Sequence, residues 1–156
     1  MSRNEVTQRF TEWYDARGWT AFPFQRAVWK AALKGESGLL HANTGAGKTF
    51  AVWFAALQRA GLDKDRAKAG LRVLWITPMR ALAADTQRAL EDSAAELLPE
   101  WRIGARTGDT KPAERARQTR SMPAALVTTP ESLTLMISNA AAHEQLRHLD
   151  MVIVDE

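Results

Sequence analysis

The chain contains no cysteine, which removes disulfides and thiolate metal sites from consideration and fits a reducing compartment. It holds only three histidines. His143 and His148 have no ligand spacing, so neither is given a role. No apolar run approaches the roughly 20 residues that cross a bilayer. The opening Met1-Ser2-Arg3-Asn4-Glu5 is polar and lacks the apolar stretch of a secretory leader. These absences point to a cytoplasmic protein without a membrane partner. Charge of one sign is not in large excess either, since 21 Lys and Arg against 18 Asp and Glu leave +3. With an isoelectric point near 9.6, that balance permits a phosphate-bearing partner without requiring one. Internal repeats, low-complexity tracts and obvious linkers are missing as well.

What is present is an ordinary globular composition, 46% hydrophobic and 25% charged over 156 residues, enough for one α/β domain and too short for two. Residues 4–17 read as an amphipathic helix with Val6, Phe10, Trp13 and Tyr14 on one face. Gly18 ends it, and an aromatic segment follows in which Pro23 disfavours helix. Residues 25–34 are again helical. From there strands and helices alternate. Strands are expected at 38–41, 71–76, 101–106, 124–128 and 151–154. Helices are expected at 47–60, 78–98, from Pro112, at 131–138, and on to about Arg147, with a charged loop at 63–68.

Five strands separated by helices imply a parallel sheet covered on both faces. Ligands of such sheets bind beyond the carboxyl ends of the strands. The segments 42–48, 77–82 and 128–132 and the pair Asp155-Glu156 all follow expected strands, so the chemistry-bearing residues gather where this fold class needs them.

The first of these segments is Ala42-Asn43-Thr44-Gly45-Ala46-Gly47-Lys48-Thr49. Its glycines let the backbone curl so that N–H groups face inward around phosphate oxygens, and the following helix start adds partial positive charge. Lys48 can reach the β- and γ-phosphates of a nucleotide, and the Thr49 hydroxyl can ligate Mg²⁺. Thr44, Gly45, Ala46 and Gly47 complete the cradle. The strict pattern has Gly where this chain has Ala42. Asp155-Glu156 follows four apolar residues, about a hundred residues past Lys48, in the manner of a Walker B strand. There Asp155 serves the Mg²⁺ and Glu156 orients the attacking water.

The form Ala-x-Thr-Gly-x-Gly-Lys-Thr, with alanine first, resembles the phosphate loop of superfamily 2 helicases. Thr77-Pro78-Met79-Arg80-Ala81-Leu82 is similar to their motif Ia. Thr107-Gly108-Asp109 and Thr128-Thr129-Pro130-Glu131-Ser132-Leu133 resemble two further nucleic-acid motifs, and Val152-Ile153-Val154-Asp155-Glu156 resembles motif II of a DExH box. The segments Arg9-Phe10-Thr11-Glu12-Trp13, Arg17-Gly18-Trp19-Thr20 and Phe22-Pro23-Phe24-Gln25 resemble the large-helicase-related group, most of all its bacterial ligase-associated members. Asn43 departs from the proline expected there.

The resemblance implies a RecA-like P-loop NTPase domain that stops at the motif II strand. Residues 1–36 would form a helical lead-in with a Q-motif-like segment, and residues 37–156 the P-loop core. Gln25 would read the adenine edge, for which a carboxamide is chemically suited. Trp19, Phe22 and Phe24 could pack on the base, although aromatics this dense more often belong to a core. Thr77, Pro78, Arg80, Thr107, Gly108, Asp109, Thr129, Pro130, Glu131 and Ser132 would contact a nucleic-acid backbone, DNA being favoured. Thr129 to Ser132 also reads as a plain helix cap with Pro at the first turn. Arg115, Arg117 and Arg120 could add basic surface, but read more readily as a solvated helix face.

The implied activity is Mg²⁺-dependent ATP hydrolysis coupled to unwinding, with DNA repair and a DNA ligase as context. A second RecA-like domain of the same polypeptide would supply an arginine finger, so the fragment alone is expected to bind ATP with little turnover and to close its sheet imperfectly. A translocase that does not unwind, or an inert binding module, are the alternatives.

Overall fold

The computed structural model describes residues 2–43, 45, 47–61 and 70–156. The chain divides into two compact units, Met1–Asp65 and Arg66–Glu156. Thr44, Ala46 and the loop expected at 63–68 lie outside the described residues.

The first unit is helical: α1 (Arg3–Asp15), α2 (Pro23–Leu33) and α3 (Lys48–Gly61). Ser2 and Glu5 cap α1 reciprocally, Glu5 N–H donating to Ser2 Oγ and Ser2 N–H to Glu5 Oε2. The expected face of Val6, Phe10, Trp13 and Tyr14 is buried throughout. It meets Phe54 of α3, which has no exposed surface and packs edge-on to Phe10 at 5.3 Å, Trp13 at 5.0 Å and Tyr14 at 5.7 Å. Edge-to-face pairs of this kind add about 0.5–1.5 kcal/mol each beyond burial. The Trp29 indole donates to Ala51 O at 3.0 Å and ties α2 to α3.

Two expectations fail in this unit. Helix α2 starts at Pro23 rather than at residue 25. Proline excludes helix interiors but suits the first turn, where its missing N–H has no intrahelical partner to lose. The strand expected at 38–41 does not form, and Leu39 is 96% exposed. An apolar run becomes a strand only when a neighbour takes up its N–H and C=O groups, and periodicity cannot supply that neighbour.

The second unit holds β1 (Val73–Ile76), α4 (Arg80–Leu97), β2 (Ile103–Arg106), α5 (Pro112–Arg120), β3 (Ala125–Thr128), α6 (Pro130–Ile137), α7 (Ala140–Leu146) and β4 (Met151–Val154). The strands form a parallel sheet in the order β2-β3-β1-β4, four strands among the described residues instead of five. Leu74 and Leu126 are register partners and share a core with Met136 of α6 and Ala142 of α7. Side chains alternate along a strand, so Val73, Trp75, Ala125 and Val127 face the other side. There α4 packs on β2 and β3. Helices thus cover both faces. Right-handed crossovers require this, because β1-to-β2 and β3-to-β4 run in opposite directions across the sheet.

Helix α4 begins at Arg80, two residues later than expected, with Met79 extended at its N-cap. Thr77 N–H donates to Thr128 O at 2.9 Å, which keeps the chain in the sheet up to Pro78. Arg72, 1% exposed, pairs with Asp150, and Asp150 N–H donates to Arg72 O at 2.8 Å. The two contacts fasten the start of β1 to the start of β4. That edge strand leaves Val152 and Val154 exposed.

Candidate nucleotide and nucleic-acid sites

The phosphate loop is shaped by its glycines. Gly45 and Gly47 have φ of 78° and 80°, the left-handed region that side chains disfavour. Gly47 is constrained a second time, because a Cβ there would lie 2.8 Å from Gln25 Nε2. That nitrogen donates to Gly47 O at 3.1 Å, while Gln25 Oε1 accepts from Phe22 N–H at 2.9 Å. Gln25, 3% exposed, is therefore a tie between the start of α2 and the loop. Lys48 opens α3, and its Nζ donates to Ala42 O at 2.7 Å and Asn43 O at 3.3 Å. The ammonium thus sits within the arc of its own loop. Thr49 follows in the first turn, half-buried. Phe22 is 55% exposed and stacks on Phe24 at 5.9 Å, and Trp19 is also exposed. Trp19 lies at the edge of the aromatic cluster, against Trp13, Tyr14 and Phe50, so of the two alternatives left open for these rings neither Trp19 nor Phe22 is a buried core residue.

In the second unit the expected backbone contacts gather at the carboxyl ends of the strands. Arg80 Nη1 reaches Asp109 Oδ1 at 3.4 Å, both side chains exposed. The two segments can meet because Gly108 lacks a side chain: a Cβ there would lie 2.9 Å from Arg80 Cζ. Thr107 Oγ1 accepts from Asp109 N–H at 3.2 Å, and Thr110 Oγ1 accepts from Thr107 N–H at 2.9 Å, so this turn is held by its own hydroxyls. Thr129 caps α6, accepting from Ser132 N–H, with Pro130 and Glu131 exposed beside it. Thr77, in contrast, has no exposed surface and offers no hydroxyl to a strand lying outside. Asp155 is half-buried with its N–H donating to Ile76 O at 2.9 Å, and Glu156 is exposed.

Sequence reasoning misplaced Arg115. It is not part of a solvated face: Nε donates to Thr110 O at 2.9 Å, and Nη2 to Thr107 O at 3.1 Å and Gly108 O at 3.0 Å. One guanidinium closes the whole turn. Its neighbours Arg117, paired with Glu114, and Arg120 remain exposed. The sequence carried no signal separating the three, since only the path of the 107–110 backbone decides which arginine meets it.

Glycines in the left-handed region, a lysine-threonine helix start and a parallel sheet with helices on both faces define the RecA-like P-loop class. The comparisons agree with that class. Residues 22–156 match the DEAD/DEAH box helicase family model, and the chain belongs to that family. It is 35% identical to the Lhr helicase/probable uracil glycosylase of Mycolicibacterium smegmatis, over 93% of this chain and 10% of the relative. It is 39% identical to the Lhr helicase/uracil glycosylase of Escherichia coli, over 85% of this chain and 10% of that protein. The solved structure of the Mycobacterium smegmatis helicase Lhr bound to ssDNA and AMP-PNP superposes with a TM-score of 0.81 at 34% identity, covering 97% of this chain and 20% of that one. These Lhr-type relatives bear out the large-helicase-related grouping. The chain spans about a tenth of the length of the curated bacterial relatives it matches.

Proposed function

We propose that the chain carries the ATP-binding motifs and part of the nucleic-acid track of a helicase motor. The observation that supports this best is the loop itself. Gly45 and Gly47 are left-handed, Gln25 is tied to Gly47 and Lys48 is held within the arc, a cradle on which phosphate oxygens can replace the chain's own carbonyls as partners of the lysine. The Lhr relative solved with ssDNA and AMP-PNP supports the same ligands here.

In this reading the loop amides and Lys48 neutralise the phosphates, Gln25 takes the adenine edge and Glu156 orients water. Thr49 and Asp155 would hold Mg²⁺. Hydroxyl and carboxylate are the hard oxygen donors this ion prefers, and it would supply charge neutralisation at the phosphates. Arg80, Gly108, Asp109, Pro130, Glu131 and Ser132 line the track, with Thr107 and Thr129 shaping it. These are backbone contacts, which position a strand without reading its sequence. Coupling to DNA unwinding, an arginine finger from a second RecA-like domain, and a role beside a DNA ligase in repair belong to the same proposal. The test is nucleic-acid-stimulated ATP hydrolysis by the polypeptide that joins this chain to that second domain. Lys48→Ala should lower the stimulated rate by about a hundredfold or more, as the loss of a preorganised charge at the phosphates does. Undiminished hydrolysis would reject the reading.

A further inference from the structure

A cleft of about 240 Å³ opens between α5 and the α6–α7 pair, beside the turn at 107–110. Its walls include Arg106, Thr107, Gly108, Arg115, Ser132 and Asn139, and among the described residues no carboxylate lines it. Two guanidinium groups therefore share one cavity without an acid between them. They are not equivalent. Arg115 spends its donors on the carbonyls of Thr107, Gly108 and Thr110 and acts as a strut. Arg106, at the end of β2, is half-buried and makes no side-chain hydrogen bond or ion pair among the described residues. Burial first, and then the charge of Arg115, push the Arg106 guanidinium below its ordinary value. Both causes act against the charged form of a half-buried guanidinium that has no acid beside it in the cleft. Buried charges are ordinarily paired, and a guanidinium fork is built for phosphate oxygens.

We propose that this cleft is an anion site that takes one phosphate of a nucleic-acid backbone, gripped by Arg106, with Ser132 also in its lining. The cleft adjoins the turn and the helix start already assigned to the track, sharing Thr107, Gly108 and Ser132 with them, but Arg106 itself was not among the residues the sequence motifs single out. It rests on the nucleic-acid reading above and adds a cation to it. The donor set does not tell a backbone phosphate from free phosphate, so the experiment has to.

The 156-residue chain is titrated with a fluorescent single-stranded oligonucleotide by anisotropy at several salt concentrations. Arg106→Gln should weaken binding about tenfold, the scale of one charge-assisted contact, and lower the slope of log affinity against log salt by about 0.7, the share of one phosphate on a single strand. Arg106→Lys, which keeps the charge, should keep the slope. Arg117→Gln, on an exposed arginine of α5 already paired with Glu114, should change neither. In the unsubstituted chain the Arg106 side-chain N–H resonance should shift on adding oligonucleotide, a readout that does not depend on a variant folding. An unchanged affinity and slope in Arg106→Gln, or an Arg106 resonance that moves with inorganic phosphate but not with oligonucleotide, would overturn the proposal while leaving the nucleic-acid reading intact. A wild-type chain that binds no oligonucleotide at low salt would instead remove that reading, and the proposal with it.

Discussion

The two units hold their functional loops by different means. In residues 1–65 the phosphate loop is fixed by side chains: Gln25 reaches Gly47 O, Lys48 reaches Ala42 O, and the apolar segment before the loop forms no strand. In residues 66–156 the loops leave paired strands, and backbone bonds such as Thr77 N–H to Thr128 O and Asp155 N–H to Ile76 O continue the ladder to the site residues. The cores differ in the same way. The first is an aromatic cluster around Phe54. The second is an aliphatic layer built on Leu74 and Leu126. A loop tied by a few side chains can be changed by a single substitution or by a ligand that competes for those donors. A loop at the end of a ladder is disturbed only by loosening the sheet.

The difference can be broken first at Arg72–Asp150. Asp150→Ala takes the carboxylate from a guanidinium that is 1% exposed, a change that costs about 3–5 kcal/mol. Hydrogen exchange should then accelerate in β1 and β4 and leave the protection of α1 and α2 unchanged. Equal acceleration in both units would merge them into one cooperative block.

The next effect belongs to the aromatic cluster. Burial pushes the Tyr14 hydroxyl up to about 12, outweighing the opposing side-chain hydrogen bond from Gln25. The folded value exceeds the unfolded one, so the stabilisation is complete below pH 10 and is lost as pH rises towards 12. The difference is about 2–3 kcal/mol. Tyr14 is the only tyrosine, so tyrosinate absorbance reads it alone, and its midpoint should lie near 12. A midpoint near 10 would mean that the cluster is wetter than its packing. Tyr14→Phe should abolish this part of the alkaline instability.

The smallest effect should come from Gly108→Ala. The added Cβ displaces the exposed Arg80 guanidinium from Asp109, costing no more than about 1 kcal/mol of stability. Its consequence is a few-fold loss of affinity for single strands, measured by the same anisotropy titration. A stability loss several times larger would show that the pair carries structural weight.

Much of the fold was legible because the signals were local. The face of α1, the positions of the four strands and the helix starts at Pro112 and Pro130 follow from periodicity and proline chemistry. The phosphate loop was legible because its backbone demands glycine at fixed positions. What stayed hidden depends on partners distant in sequence. The run at 38–41 reads as a strand until a ladder partner is asked for. The role of Arg72, just before β1, shows only when Asp150, 78 positions away, is brought beside it. Arg115 and Arg106 differ in role only through the path of one turn. Gln25 was read only as a partner for an adenine edge, and its double tie to Phe22 and Gly47 was visible only in three dimensions.

The central claim is that residues 42–49 form a nucleotide site. The most direct measurement is calorimetric titration of the chain with Mg²⁺ and a non-hydrolysable ATP analogue, wild type against Lys48→Ala. The account predicts saturable binding that Lys48→Ala weakens at least about tenfold, since charged hydrogen bonds to phosphate are worth about 1.5–3 kcal/mol. Binding of equal affinity in the two proteins, or none in the wild type, would contradict it.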